Sequence, residues 1–199
     1  MTMNGFDAAG FAAIHGLSGR NIAADIAAMA VGWWMAYLLG AGFFAFLFTR
    51  KGMRRRIYIF TEGALAVILS RGIIAAGIQF LYHRERPFAF YGISPLFGTT
   101  GWSFPSGHMT LFFALATVVW FANRRWGAWY LLLTAAMGAA RIYAGLHWPT
   151  DIIAGAAIGI ASALVVRWLL TDARKGIDRN EAPPAESGAA VISPTAQPQ

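Results

Sequence analysis

Five stretches of this chain stay apolar for about the 20 residues that a helix needs to cross a bilayer, each bounded by charged or turn-forming residues. Lipid offers no hydrogen bonds, so a segment that crosses it must satisfy its own backbone N–H and C=O groups, as a helix does. The runs cover residues 23–48, 57–82, 106–122, 128–144 and 152–170. Hydrophobic residues make up 57% of the sequence and charged residues 13%, about half the charged fraction of a soluble domain. That excludes a water-soluble globule, and equally a disordered or fibrous chain. With no cysteine, disulfides, thiolate catalysis and zinc–sulfur sites are excluded too. The expected fold is all-α: a polytopic membrane helical bundle of about five transmembrane helices with a short N-terminal interfacial helix.

A net charge of +7 would suit a nucleic-acid partner, but the basic residues occupy alternate breaks between the runs. Arg50, Lys51, Arg54, Arg55 and Arg56 fill one, Arg124 and Arg125 another, and Arg167, Arg174, Lys175 and Arg179 follow or close the last run. These are 11 of the 16 Lys and Arg residues, and the positive-inside rule places them in the cytoplasm. The bilayer is then the expected partner, with no nucleic acid, the N-terminus outside and the C-terminus inside.

Three segments are expected. Residues 1–22 lack the basic start of a signal peptide, and the run after them ends in a stop-transfer cluster. Phe6, Ile14 and Leu17 suggest an amphipathic helix at the outer interface. Residues 23–170 form the membrane domain. Residues 171–199 read as a cytoplasmic tail, disordered from about Asn180 onward, where Pro, Ala and Ser dominate. Small-residue runs such as TAAMGAA and IIAGAAIGIASA let helix backbones approach closely, and Trp102, Trp126, Trp129, Tyr130 and Trp148 stand near span ends as interface anchors.

The polar residues that packing does not explain gather on the outer side. YHRERPF, residues 82–88, follows the second span; SFPSGH, residues 103–108, opens the third; Arg141 and HWPTD, residues 147–151, join the fourth to the fifth. Arg86 and Arg141 carry planar, permanently charged forks that match phosphate oxygens. Pro105-Ser106-Gly107 stands where a helix begins, so its free N–H groups and the helix dipole can hold an anion. Phosphate-ester cleavage without a metal needs a nucleophile and a general acid. His108 and His147 supply two imidazoles, and Asp151 can orient one of them. Glu85 and Asp151 are too few for a two-metal site. A single zinc on both histidines and Asp151 is a competing use, disfavoured by arginines that repel a cation.

These clusters resemble the signature of the type 2 phosphatidic acid phosphatase superfamily: a lysine, six residues and Arg-Pro; Pro-Ser-Gly-His; then Ser-Arg, five residues, His, three residues and Asp. The sequence supplies Arg86-Pro87, Pro105-Ser106-Gly107-His108, and Arg141, His147 and Asp151 at matching spacings. The resemblance implies that His147 attacks phosphorus to form a phosphohistidine, that Asp151 holds and polarises it, and that His108 protonates the leaving oxygen and then activates water. It implies phosphoryl binding by Arg86, Arg141, Ser106 and Gly107, with no metal or other cofactor. The family's lysine is replaced by Gln79 and the serine before Arg141 by Ala140. Gln79 and Arg84 are therefore candidates for the phosphate site, Arg84 as the substitute cation.

Within the superfamily the chain is similar to the bacitracin-resistance-type undecaprenyl-diphosphate phosphatases, in IHGLSGRN, in Tyr-His-x-x-Arg-Pro-Phe and in its compact layout. That implies a bacterial inner-membrane enzyme with an outward-facing site, releasing phosphate from undecaprenyl diphosphate and returning the carrier lipid to cell-wall synthesis. Two other readings use the same residues: a phosphatase of phosphatidylglycerol phosphate, phosphatidic acid or lipid A, and a non-enzymatic lipid carrier or transporter that would not need His147 and Asp151 paired. His83, Arg84 and Glu85 fit a solvated loop equally well, and His15 reads as an interfacial residue. Arg71 lies mid-span and should face the bundle interior; with Gln79 on roughly its face, it is expected to support the polar wall of the site.

Overall fold

The computed structural model describes residues 4–172 together with 174 and 175; the tail expected from Asn180 onward lies outside them. The described chain is helical without strands: α1 (Gly5–His15), α2 (Ile22–Phe48), α3 (Met53–Leu81), α4 (Pro87–Tyr91), α5 (Gly107–Ala122), α6 (Arg124–Tyr143) and α7 (Pro149–Leu169). By length and composition α2, α3 and α7 are able to cross a membrane, and α5 is a shorter apolar helix. The 20-residue α6 is less apolar on average because Arg124 and Arg125 open it and Arg141 lies in its last turn. Large apolar side chains coat the outside, among them Phe44, Phe48, Ile68, Ile73, Leu132, Ile153 and Trp168. The fold is a membrane helical bundle.

Helices α3 and α6 each begin four residues before the apolar runs do, because backbone hydrogen bonding continues through charged residues. Gly52, with φ at 81°, turns the chain into α3 at Met53, a conformation that favours glycine. The Asn123 side chain accepts the Trp126 N–H at 3.0 Å and so caps α6 at Arg124. Both α2 and α3 contain wide π turns, at Ala30–Trp34 and Ile68–Ala75.

At the centre stands α5, packed by α7, α6 and α3, with Met109, Thr110, Ala114, Ala116, Val118 and Val119 buried. The small residues of α7 let it come very near. A Cβ on Gly155 would lie 2.7 Å from the Met109 Cβ and 2.8 Å from the Ser106 carbonyl oxygen; one on Gly159 would lie 2.6 Å from the Thr110 carbonyl oxygen. Backbone therefore meets backbone along this seam.

The N-terminal helix α1 docks on the end of α6 and the start of α7. Phe11 is buried against Trp148, with ring centroids 5.2 Å apart, and stacks on Tyr91 at 5.6 Å. Phe6 and Leu17 are exposed, while Ile14 packs beside Phe11 and Trp148. His15 stacks on Phe11 and reaches the Tyr143 carbonyl oxygen at 2.8 Å.

Two of the aromatic residues expected as interface anchors are core residues instead. Trp148 is fully buried and donates its indole N–H to the Glu85 carbonyl at 2.9 Å. Buried Tyr130 donates its hydroxyl to the Leu39 carbonyl at 3.0 Å. Each finds a partner for its polar atom, which is what lets such a ring go inside. Trp102, Trp126 and Trp129 are exposed.

The end of the bundle opposite to α1 carries the basic breaks. There Arg56 donates to the Arg50 and Phe48 carbonyls at the end of α2, and Arg167 pairs with buried Glu62 at 3.1 Å.

Candidate active site

Pro149 is the first residue of α7, and Trp148 before it is extended (φ −81°, ψ 153°), so His147 stands just outside the helix. Asp151, in the first turn, folds back on this entry: its Oδ2 accepts the Trp148 N–H at 2.8 Å. The same oxygen accepts the Ser103 hydroxyl at 2.5 Å and lies 3.5 Å from His147 Nδ1. Nδ1 also faces the Ser103 carbonyl oxygen at 3.1 Å. Two acceptors around Nδ1 put the ring proton there. The Nε2 lone pair is left facing Arg86 Nη1 at 3.2 Å and Ser106 Oγ at 3.4 Å.

Burial pushes the His147 pKa down to about 4; the Asp151 hydrogen bond pulls it the other way, and Arg141 and Arg86 add to the effect of burial. Near neutral pH the ring is a neutral base, the form that attacks an electrophile.

Ser106 is the N-cap of α5, yet its hydroxyl makes no capping bond and points instead toward His147. Its N–H donates to the Asp151 carbonyl at 3.1 Å, tying the starts of α5 and α7 together. From the first turn of α5, half-buried His108 faces a cleft of about 700 Å³. His147, Arg86, Arg141, Gly107, Gln79 and Arg71 line the same cleft, which continues onto Trp33, Leu111 and Phe112. Among the described residues no carboxylate lines it.

The arginines divide their work. Arg86 gives all five of its N–H groups away: Nε to the Gly101 carbonyl, Nη2 to those of Thr100 and Trp102, and Nη1 to the Leu146 carbonyl and His147 Nε2. It clamps the loop before α5 to the loop before α7 while bringing its charge to the cleft. Burial lowers its pKa and Asp151 offsets part of that. Arg141 donates through Nη1 to the Gly32 carbonyl at 3.2 Å, and its buried Nε has no acceptor among the described residues. Gly32 lies in the π turn of α2, where a backbone carbonyl loses its usual partner four residues on and can accept from a side chain. A Cβ there would fall 2.7 Å from the Phe97 ring.

Two residues expected at the phosphate stand elsewhere or act otherwise. Arg84 does not line the cleft. Its Nη1 donates to Asp151 Oδ1 and Thr150 Oγ1, both at 2.7 Å, and its Nη2 to Asp7 Oδ2 at 2.5 Å. It lies behind the catalytic candidates because two buried carboxylates attract it more than open water does. Gln79 reaches the cleft, and its Nε2 donates to the Pro105 carbonyl at 2.9 Å, bracing the turn that leads into α5.

Sequence reasoning missed Asp7. This fully buried residue of α1 also accepts the Thr150 N–H at 2.8 Å and its hydroxyl at 2.6 Å. Burial raises its pKa, but the bonds from Thr150 and Arg84 outweigh that and hold it below the ordinary carboxylate value. In the sequence Asp7 looks like an acid that complements a helix start, and nothing there shows a partner 77 residues away. The sequence marks Ser103 only as the first residue of SFPSGH, since its role depends on an approach of two loops.

A membrane bundle that gathers arginines in a cleft and aims a neutral imidazole into it, backed by a buried carboxylate, has the groups that phosphoryl transfer needs. The chain belongs to the PAP2 superfamily, whose model matches residues 60–175. It is 33% identical over 137 residues to the bacitracin transport permease protein BcrC of Bacillus licheniformis, covering 68% of this chain and 66% of that one. It is 29% identical to the undecaprenyl-diphosphatase BcrC of Bacillus subtilis, covering 75% and 77%. Among solved structures it resembles Aquifex aeolicus LpxE, with a TM-score of 0.65 and 26% identity over 78% of this chain and 91% of that one. The chain thus spans just under two thirds of the first of these relatives.

Proposed function

We propose that the protein hydrolyses undecaprenyl diphosphate to undecaprenyl phosphate and inorganic phosphate at the outer face of a bacterial cytoplasmic membrane. The observation that carries this is His147: Nδ1 is fixed by Ser103 and Asp151, and Nε2 faces Arg86 and Ser106. In the proposed reaction Nε2 bonds to the terminal phosphorus and the bridging P–O bond breaks. His108 protonates the leaving oxygen and then takes a proton from the water that hydrolyses the phosphohistidine. Arg86, Arg141, Ser106 and the Gly107 N–H bind the phosphoryl oxygens, whose charge they match. The undecaprenyl preference is supported by the name of the Bacillus subtilis relative, undecaprenyl-diphosphatase BcrC. The outward face is supported by the basic breaks at the opposite end of the bundle.

The test is phosphate release by purified protein in detergent with EDTA, on undecaprenyl diphosphate beside phosphatidic acid, phosphatidylglycerol phosphate and lipid A. Release insensitive to EDTA, fastest on the prenyl diphosphate and reduced at least ~10³-fold in His147→Ala, is the expected result. Release only from the other lipids keeps the chemistry and moves the substrate. Retained turnover in His147→Ala overturns the mechanism.

A further inference from the structure

Arg71 projects from the wide π turn in the middle of α3 and ends against the start of α5, where a Cβ on Gly107 would fall 2.5 Å from its Nε. The motif glycine leaves the space that this side chain occupies. A guanidinium at such depth is costly unless something pairs with it. Among the described residues no carboxylate or carbonyl accepts from Arg71, and Glu62 is committed to Arg167. Arg86 can turn to a phosphoryl oxygen only the Nη1 N–H that now meets His147 Nε2, and Arg141 gives one N–H to Gly32. Of the cleft's three arginines, Arg71 is the one with its whole fork open to a ligand.

The charges point to a particular ligand. Arg71, Arg86 and Arg141 line the cleft with no carboxylate among them, and Asp151, behind His147, is matched by Arg84. A diphosphate ester carries roughly one more negative charge than a monophosphate ester near neutral pH, as a second phosphate group must. Position is compatible with this. Arg71 leaves α3 eight residues before Gln79, about 12 Å along a helix, and Leu111 and Phe112, in the turn of α5 that follows Gly107, make part of the same cleft apolar. In-line attack from His147 puts the leaving group beyond the phosphorus. In a lipid diphosphate that group is the phosphate joined to the chain, and the chain must follow the apolar wall.

Resting on the diphosphate reading above, we propose that Arg71 binds the lipid-proximal phosphate of a lipid diphosphate and thereby selects diphosphates over monophosphates. As the Nε2–P bond forms and the bridging P–O bond breaks, the electron pair passes to the lipid-bound phosphate, whose charge Arg71 meets. The residue supplies from another turn of α3 the cation that Gln79 lacks.

The experiment compares kcat/KM of the full chain in detergent on undecaprenyl diphosphate and on phosphatidic acid, for wild type, Arg71→Gln and Arg71→Lys. The ratio of the two should fall ~10–100-fold in Arg71→Gln, the loss of a charge-assisted hydrogen bond or two, with part of it recovered in Arg71→Lys. A ratio unchanged in Arg71→Gln overturns the proposal, whether both rates fall together or neither moves. Inhibition of the wild type needs no variant to fold: inorganic pyrophosphate should inhibit at lower concentration than inorganic phosphate, and the reverse order overturns the proposal. A wild type that prefers phosphatidic acid overturns the diphosphate reading itself. Preference for the diphosphate with an unchanged ratio in Arg71→Gln overturns only the role of Arg71.

Discussion

One carboxylate, Asp151, meets three demands: it caps α7 through the Trp148 N–H, takes the Ser103 hydroxyl and flanks His147 Nδ1. A single oxygen can do this because Pro149 fixes the helix start and leaves Nδ1 on the capping side. The buried imidazole has its pKa near 4 instead of the ordinary 6.5. Between those values the unfolded chain binds more protons than the folded one, so the contribution of His147 to stability is complete above about 6.5 and is lost as pH falls toward about 4. The acid limb of kcat/KM, after the substrate's own titration is factored out, should accordingly fall near 4; a limb at 6.5 would contradict this assignment. Asp7 works one step further back, holding Arg84 and Thr150 against Asp151. Asp7→Ala should lower thermal stability in detergent by about 1–3 kcal/mol, the cost of leaving buried donors unmet. It should reduce kcat ~10-fold with little change in KM, and an unaltered kcat with lowered stability would make the residue purely structural.

Among the elements, the two π turns and the α5–α7 seam do the positioning. Each π turn sits where a long helix passes the cleft: one gives Arg141 the Gly32 carbonyl, the other projects Arg71. Gly155 and Gly159 hold α7 so near α5 that Ser106 N–H reaches the Asp151 carbonyl. Gly159→Val would drive a side chain into the Thr110 carbonyl and the Ala114 nitrogen, which lie 2.6 and 2.9 Å from a Cβ there. A loss of about 1–3 kcal/mol is expected, seen as a lower melting temperature together with reduced turnover. Gly40→Ala, where a Cβ meets nothing within 4 Å, is the control and should leave both within error. Equal behaviour of the two variants would show that the seam does not hold the site.

For the whole molecule, the separation of a cleft at one end from basic breaks at the other makes a topological prediction. The chain has no cysteine, so single cysteines report sidedness without background. Ser94→Cys, in the exposed loop after α4, should react with a membrane-impermeant maleimide on intact cells. Lys51→Cys, between α2 and α3, should react only after permeabilisation. The opposite pattern would place the cleft on the cytoplasmic side and remove the link to an outward-facing carrier lipid.

The bundle was legible in the sequence because hydrophobicity over about 20 residues is a local property, set by solvent and not by neighbours. So was the gathering of His108, His147, Asp151, Arg86 and Arg141 into candidate chemistry, since their motifs lie at helix starts and ends that Pro149 and Ser106 mark by themselves. What the chain could not show locally was which polar atom meets which. Arg84 turned out to face two carboxylates and not the cleft, one of them from α1, and Arg71 turned out to reach Gly107 through a π turn that has no signature in composition. Those outcomes depend on distances of a few ångströms between segments far apart in sequence. Only the packing of glycine-lined helices, backbone against backbone, fixes them.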